Sequence, residues 1–235
     1  MLKYLPFILL YFFTPALMAQ DTLNRTDAGG HKQGYWRKID SAGMTIYTGR
    51  FIDGKPAGEF RYYYPGGKLK AVSMFSENGK RSSTVSYYKN GLKMASGCYL
   101  NEKKDGIWKF FNEYDGGLVS EETYQKGIRE GTTKIFYPDG GVSETFSYKN
   151  GLKSGLWEQF YLDGKLKLRG AYQNGEKQGA LTIFYNSGQA MISGHYQSGH
   201  QDGIWNYYTE KGELTKQEQY DKGTLLRSRE EPVAK

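Results

Sequence analysis

The residues that could perform catalytic or metal chemistry are few in this 235-residue chain, and they are scattered. His31, His195 and His200 have no cluster of Cys, His or carboxylate side chains near them at metal-ligand spacing. Solvated histidines are therefore a better interpretation than a metal site. Glu121 and Glu122 are adjacent, and nothing marks them as the separated carboxylate pair of a glycosidase. The sequence predicts no metal site and no catalytic carboxylates.

Nucleophiles are equally poorly supported. Ser and Thr are plentiful, but no G-x-S-x-G turn or neighbouring His accompanies them. Cys98 is the only cysteine, so an internal disulfide is excluded, and without an activating partner it is interpreted as a small strand residue. The 31 glycines recur as turn residues rather than as phosphate loops. We therefore expect no enzyme activity and no cofactor.

The first 19 residues differ in composition from the rest of the chain. Lys3 provides a positive start, Leu5 to Leu17 form an apolar run, and the segment ends at Ala19. This pattern is typical of a secretory signal peptide, and the apolar run is shorter than the ~20 residues that a membrane-spanning helix needs. We expect residues 1–19 to be a signal peptide and the mature protein to be periplasmic or extracellular.

The remainder of the chain is dominated by a repeat. Copies of one phrase follow each other every 24 residues, with one step of 25 where Asp115-Gly116-Gly117 carries an extra residue. Such a period indicates units that bury their apolar faces only against their neighbours. We predict one repeat domain over 34–223, with flexible polar segments at 20–33 and 224–235. The eight copies begin at Gly34, Gly58, Ser82, Gly106, Gly131, Gly155, Gly179 and Gly203.

One copy consists of two predicted strands. In the copy that begins at Gly155, two runs rich in aromatic and β-branched residues are bounded by Asp163-Gly164 and Asn174-Gly175. Such pairs are typical of hairpin turns, which need positive φ. No stretch within the repeats shows a sustained helical period. We predict an all-β fold: an elongated, twisted, single-layer antiparallel sheet of eight tandem 24-residue β-hairpin repeats, sixteen strands in all.

Aromatic residues form columns when the copies are aligned, with the first residue of each copy as position 1. Alternation places positions 3 and 7 on one face of the first strand, and position 6 on the other. Several copies have a glycine two residues before the second-strand ring, and we expect a neighbouring ring to lie flat over that bare backbone. Position 3 holds Trp36, Phe60, Thr84, Trp108, Thr133, Trp157, Leu181 and Trp205. The second-strand column holds Phe51, Phe75, Tyr99, Tyr124, Tyr148, Tyr172, Tyr196 and Tyr220.

The pattern G-x-W-x-x-Y-Y-x-x-G-x-L, followed by Y-x-x-G, resembles the MORN-repeat-variant family, whose bacterial members are described as antitoxin components of toxin–antitoxin systems. The resemblance extends from Gly34 to Gly223 and departs from the pattern at Ser82, Thr84 and Thr133. It implies an elongated sheet of hairpins that binds other molecules and has no active site. A cytoplasmic toxin would be out of reach of an exported member.

The sequence therefore predicts an exported, non-catalytic binding scaffold for an unidentified protein partner, antitoxin-like or immunity-like in role. Recognition of cell-wall glycan through exposed rings is the alternative. The net charge of +7 is interleaved with Asp and Glu, so a nucleic-acid partner is not expected, and the lack of an amphipathic helix disfavours a membrane surface. The rings predicted to contact a ligand or partner are Tyr64, Tyr88, Trp108, Tyr137, Trp157, Tyr161, Tyr185 and Trp205.

Overall fold

The computed structural model describes residues 22–232, so the predicted signal peptide at 1–19 lies outside the described residues. The described chain is all-β and antiparallel, and its strands form one open sheet with a short 3₁₀ turn at Glu77–Gly79. The predicted fold class is confirmed. The 19 strands are β1 (Arg25–Thr26), β2 (Lys32–Ile39), β3 (Thr45–Ile52), β4 (Lys55–Tyr63), β5 (Leu69–Ser76), β6 (Arg81–Tyr87), β7 (Lys93–Leu100), β8 (Lys103–Phe111), β9 (Leu118–Gln125), β10 (Ile128–Phe136), β11 (Val142–Lys149), β12 (Leu152–Phe160), β13 (Leu166–Gln173), β14 (Glu176–Lys177), β15 (Gly179–Phe184), β16 (Ala190–Gln197), β17 (His200–Tyr208), β18 (Leu214–Asp221) and β19 (Thr224–Glu230).

The sheet is a continuous meander. Each strand pairs with the strand that follows it in the chain, except that β13 pairs with both β14 and β15, which are two parts of one interrupted strand. Neighbours in space are therefore neighbours in sequence, as expected for a repeat array. With strands about 4.8 Å apart, the sheet from β2 to β19 is roughly 80 Å long.

Two kinds of tight turn join the strands. Within a copy, the Gly67 N–H donates to the carbonyl of Tyr64 over 3.0 Å, and Gly67 has a φ of 81°. Between copies, turns such as Asn150-Gly151 have positive φ at both residues, 52° and 82°, which is typical of type I′. That turn type matches the right-handed twist of the flanking strands. The Asn-Gly and Asp-Gly pairs of the sequence therefore set the register of the hairpins.

The glycine at position 1 produces a bulge in the sheet. Gly58 has a φ of 67°, and the pairing jumps there: Ala57 faces Arg50, while Phe60 faces Gly49. Two residues of β4 are therefore extra at this point. The same offset recurs between β7 and β8, β9 and β10, β11 and β12, and β16 and β17. Glycine suits this place because it adopts positive φ at little steric cost.

The third copy has Ser82 in place of that glycine, and the bulge is absent from it. β5 and β6 pair without a register shift from Ala71 opposite Ser86 to Ser76 opposite Arg81. The two residues are accommodated instead in the wider turn at 77–80, which contains the 3₁₀ turn. The 24-residue period is thus kept while the local backbone changes, because serine resists the conformation that the bulge requires.

The buried side chains lie on one face of the sheet, which we call the ring face. It carries positions 3 and 5 of each first strand and the residues that face them on the second strand. Its second-strand members include the ring column and the residue two before it. We call the opposite face the polar face. The buried apolar side chains of residues 22–232 are Phe60, Ala95, Trp108, Phe146, Trp157, Leu168, Leu181 and Trp205.

Regular structure extends beyond the predicted repeat domain at both ends. The expectation that 224–235 lacks structure is wrong for β19, which pairs with β18 from Lys216 opposite Glu230 to Asp221 opposite Thr224. The reason is that Lys222-Gly223 forms the same two-residue turn as the other links, with φ values of 46° and 86°. At the other end, β1 pairs with β2 within the segment 20–33 that was predicted to be flexible.

Candidate binding surface

The three tryptophans predicted to contact a ligand are packing residues. Trp108, Trp157 and Trp205 are only 3%, 8% and 3% exposed. The expectation that they lie exposed is wrong, because second-strand rings on the same face cover them. The ring centroids of Tyr99 and Trp108 are 4.7 Å apart, and those of Tyr196 and Trp205 are 5.2 Å apart, both in edge-to-face geometry.

The predicted rings over bare glycines are confirmed. A methyl group added to Gly97 would overlap the Trp108 ring, and one added to Gly49 would overlap Phe60. Glycine is therefore required here to make room for the ring. The glycines covered by a ring in this way are Gly49 under Phe60, Gly97 under Trp108 and Gly194 under Trp205, while Gly170 lies closest to the side chain of Leu181 and next to the Trp157 ring.

The five tyrosines at position 7 form a hydrogen-bonded row along the hairpin turns. The hydroxyl of each donates to the position 6 carbonyl of the next copy, as from Tyr137 to Phe160 over 2.6 Å. In the pairing of β10 with β11 the register shifts between Ile135 and Phe136, where Ser143 of β11 is the extra residue. That positions 3 and 7 share a face stays a prediction. These half-buried rings are fixed by backbone contacts. The other bonds run from Tyr64 to Tyr87, Tyr88 to Phe111, Tyr161 to Phe184 and Tyr185 to Tyr208.

Lysine ammonium groups lie over many rings of the ring face. Lys104 Nζ is 4.8 Å from the ring centroids of both Trp108 and Tyr124, and Lys177 Nζ is 4.9 Å from that of Tyr196. Such contacts are stabilising electrostatically, since the face of an aromatic ring is negative. Burial lowers the pKa of Lys104. The lysines that stand four residues before position 3 are Lys32, Lys80, Lys104, Lys153 and Lys177.

The third copy leaves a gap in the ring face. Thr84 takes position 3 and faces Ser73, and the two hydroxyls share a buried hydrogen bond of 2.8 Å. Because two small residues meet here, an open groove of about 570 Å³ remains, which we call the copy 3 groove. The exposed Lys80 and Glu102 also line it. Its rings are Tyr47, Phe51, Phe60, Tyr62, Phe75 and Tyr99.

The fifth copy also has threonine at position 3, but charged side chains fill the space. Glu122 faces Thr133, and Arg129 binds Glu122 through its Nε at 3.1 Å and its Nη2 at 3.0 Å. Arg129 also donates to the Tyr148 hydroxyl at 3.0 Å. The hydrogen bond with Tyr124 and the charge of Glu122 raise the pKa of Arg129. Within the described chain, the buried Thr133 Oγ1 has no hydrogen-bond partner.

The polar face combines ion pairs with exposed apolar side chains. Lys109 binds Glu121 at 2.9 Å, and Arg169 binds Glu158 at 2.9 Å. Beside them, four of the eight copies carry a large apolar residue at position 2 that remains roughly half exposed. These are Tyr35 at 51%, Ile107 at 58%, Leu156 at 50% and Ile204 at 43%.

The residues considered for metal or catalytic chemistry remain apart. His31, His195 and His200 are all exposed. Across residues 22–232, no group of three or more His, Cys, Asp or Glu side chains could hold a metal ion. Over the same range, no helix combines the length and the apolar character needed to cross a membrane. Cys98 is half-buried, and its carbonyl accepts the Trp108 indole N–H at 3.0 Å.

Sequence reasoning missed two features of this surface. The first is the lysine four residues before position 3, whose regular spacing was visible in the aligned copies. The second is the copy 3 groove. It could have been found in the sequence because small residues, Ser73 and Thr84, stand 11 residues apart at facing positions of adjacent strands. At least one of the two equivalent residues is large in the other copies.

Three repeat regions match the MORN repeat variant family, at residues 57–75, 129–150 and 153–174. The matches cover parts of the second, fifth and sixth copies, and each spans strands of the meander. No curated protein matches the chain.

Solved structures similar to the chain share only a low level of likeness. TarM of S. aureus, in complex with Fondaparinux, alpha-GlcNAc-glycerol and UDP, is 14% identical with a TM-score of 0.32, covering 52% of this chain and 21% of that one. TcdB2-TccC3-TEV is 10% identical with a TM-score of 0.21, covering 82% and 12%. Alternansucrase in complex with isomaltononaose is 17% identical with a TM-score of 0.18, covering 80% and 15%. The chain thus spans about a fifth or less of the length of these proteins.

Proposed function

We propose that the protein is an exported, non-catalytic scaffold that binds a protein partner along its extended sheet. An immunity-like or antitoxin-like role outside the cytoplasm is one form of this function. The matches to the MORN repeat variant support a repeat protein rather than an enzyme. The single-layer sheet supports binding, since an array of this kind offers a long continuous surface instead of one enclosed site.

The observation that carries the proposal is the set of exposed apolar side chains at position 2 of the polar face, which four of the eight copies carry. Ile107, Leu156 and Ile204 are 58%, 50% and 43% exposed, and each stands on a strand whose neighbours carry charged and polar side chains. Large apolar side chains that recur at one repeat position and are rimmed by polar groups are typical of protein-binding surfaces. The repeat sets their spacing, so a partner can engage several of them together.

Glycan binding is a second candidate, supported by the tyrosine row. The hydroxyls of Tyr137 and Tyr161 are each held at 2.6 Å by a backbone carbonyl of the next copy. Their rings are consequently fixed at regular intervals along the turn edge, as a stacking platform for sugars requires. The roles of the predicted tyrosines as ligand contacts remain predictions.

A capture experiment separates the two candidates. The immobilised protein is exposed to periplasmic extract and, separately, to insoluble peptidoglycan. We expect one stoichiometric protein from the extract, lost when Ile107, Leu156 and Ile204 are all replaced by Asn and kept when Tyr137 and Tyr161 are replaced by Ala. Retention on peptidoglycan that only the tyrosine replacements abolish would contradict the protein-partner proposal.

Export needs a test of its own. The first 20 residues, fused to a reporter that is active only outside the cytoplasm, should direct its export. N-terminal sequencing of the mature protein should find a start near Gln20, since the apolar run ends just before it. A mature protein that keeps Met1, or a reporter that stays inactive, would contradict export.

A further inference from the structure

The copy 3 groove is the one position 3 site that neither a large side chain nor an ion pair fills within residues 22–232. Five copies place an aromatic ring at this position, and copy 7 places Leu181 there. Copy 5 uses the pair of Arg129 and Glu122. Copy 3 has only Thr84 over Ser73. The groove therefore lies where most other copies carry an aromatic ring.

The row continues on both sides of the groove. On one side, the ring centroids of Phe60 and Phe75 are 5.0 Å apart at an interplanar angle of 73°. On the other side, those of Tyr99 and Trp108 are 4.7 Å apart at 70°. A planar ring seated over Thr84 would thus find edge-to-face partners in both directions, which is the arrangement that aromatic pairs prefer.

The charges of the groove also suit a ring. Lys80 stands four residues before Thr84, as Lys104 stands four residues before Trp108, and Lys104 Nζ is 4.8 Å from that ring. A ring in the groove would present its negative face to the Lys80 ammonium group. Glu102 also lines the groove, and its carboxylate can accept a hydrogen bond.

We propose that the copy 3 groove binds an aromatic side chain, a tryptophan foremost, that the protein partner presents. The proposal rests on the scaffold function proposed above. A buried indole N–H usually finds an acceptor, and two of the chain's buried indoles do so: Trp108 donates to Cys98 O at 3.0 Å and Trp157 to Glu144 at 2.6 Å, whereas the Trp205 N–H has no partner among residues 22–232. Glu102 supplies the acceptor for the guest.

The dimensions and polarity favour an aromatic side chain over a sugar. The volume of about 570 Å³ lies within the roughly 300–1,000 Å³ of ligand pockets and leaves room for the peptide that bears the ring. The hydroxyls of Ser73 and Thr84 already bond to each other at 2.8 Å, and six of the other lining residues are aromatic. The floor of the groove therefore offers a sugar no free hydroxyl pair, whereas an aromatic side chain can pack against the surrounding rings.

The test uses N-acetyl-L-tryptophanamide as the probe, followed by saturation-transfer NMR and calorimetry on the purified protein. N-acetyl-L-leucinamide and methyl β-glucoside are the comparison probes. We expect saturable binding of the tryptophan probe, with the other two at least about tenfold weaker, equivalent to about 1.4 kcal/mol. Equal binding of the three probes, or stronger binding of the glucoside, would overturn the proposal.

Variants locate the binding. Thr84→Leu introduces the side chain that copy 7 carries at this position, and Ser73→Gly combined with Thr84→Trp recreates the glycine–tryptophan pair of copy 4. Both should abolish binding of the probe. Thr132→Trp, which adds a tryptophan at an exposed position of copy 5, should leave binding of the probe unchanged. If the double variant fails to fold, Thr84→Leu decides, and binding that survives it overturns the proposal.

Capture of the partner distinguishes this proposal from the scaffold function. If the partner is captured equally by the wild type and Thr84→Leu, the groove is not its docking site, and the scaffold function stands. If the tryptophan probe binds the groove but no protein is captured from the extract, the proposed partner class fails while the site itself stands.

Discussion

Copies 3 and 5 both have threonine instead of a ring at position 3, but the space is left open in copy 3 and is filled by an ion pair in copy 5. In copy 3, Thr84 lies over Ser73 of the preceding copy, and a groove of about 570 Å³ remains. In copy 5, Thr133 lies over Glu122 of the preceding copy, and Arg129 joins Glu122 in a two-point ion pair. A ring can therefore be removed from this sheet without opening a cavity. The comparison shows that the copy 3 groove depends on the small Ser73 opposite Thr84 as much as on Thr84 itself.

The difference extends to the backbone. Copy 5 keeps Gly131 at position 1, with a φ of 82°, and the bulge that accompanies it. Copy 3 has Ser82 and an unbulged pairing between β5 and β6. Ser82 is buried and lines the groove. One substitution thus changes both the path of the strand and the wall of the groove.

The largest expected effect comes from adding one methyl group beneath a ring. Gly97→Ala should lower the free energy of unfolding by about 3 kcal/mol, because the methyl group would overlap Trp108 and neither can move freely in a packed row. Ser73→Ala, at the matching position beneath Thr84, should cost about 1 kcal/mol, the value of the hydrogen bond between Ser73 and Thr84. Denaturant unfolding measures both. Equal losses would show that the sites beneath Trp108 and Thr84 are packed alike.

A tryptophan at position 3 should have opposite effects in the two gap copies. Thr133→Trp should cost about 2 kcal/mol, because Glu122 and Arg129 already occupy the space. Ser73→Gly combined with Thr84→Trp should add about 1 kcal/mol by burying the ring in the open groove. Thermal unfolding followed by circular dichroism gives the two shifts. A loss in both copies would mean that the groove cannot accept a ring.

Breaking the ion pair between Arg129 and Glu122 tests whether it stabilises copy 5 in place of a ring. Arg129→Met should cost about 1.5 kcal/mol, because the carboxylate of Glu122, 13% exposed, loses its charged partner. Adding Glu122→Leu should restore part of this loss, since no unpaired charge then remains. A double-mutant cycle in denaturant measures the coupling. Simple additivity of the two changes would contradict this account.

The smallest expected effect is on the alkaline limb of the stability curve. Burial, and then the hydrogen bond to Glu122, raise the pKa of Tyr124. The contribution of Tyr124 is therefore complete below its unfolded pKa of about 10 and is lost as the pH rises above that value. Tyr124→Phe should flatten the loss of stability that begins above about pH 10. Tyr114→Phe, at a ring that is 91% exposed, is the control. An unchanged slope in Tyr124→Phe would contradict the assignment.

The sequence predicts the hairpins well because their determinants are local. The pair Asn150-Gly151 sets its own turn, and Gly97 makes room for the one ring that follows it by 11 residues. The exposure of Trp108 was predicted wrongly because it depends on Tyr99, a residue of the neighbouring copy that shares its face. The copy 3 groove depends on a pair of residues on adjacent strands, which no single column displays.

The tyrosine row has a consequence for how the length of the array can change. Each position 7 hydroxyl reaches a carbonyl 23 residues further along the chain, and each strand pairs with the next one. If one internal 24-residue unit were removed, the two strands brought together would have the same kinds of residue as the strands that already pair elsewhere in the sheet. Gene duplication or loss could therefore lengthen or shorten the molecule in whole steps, without any new contact having to arise.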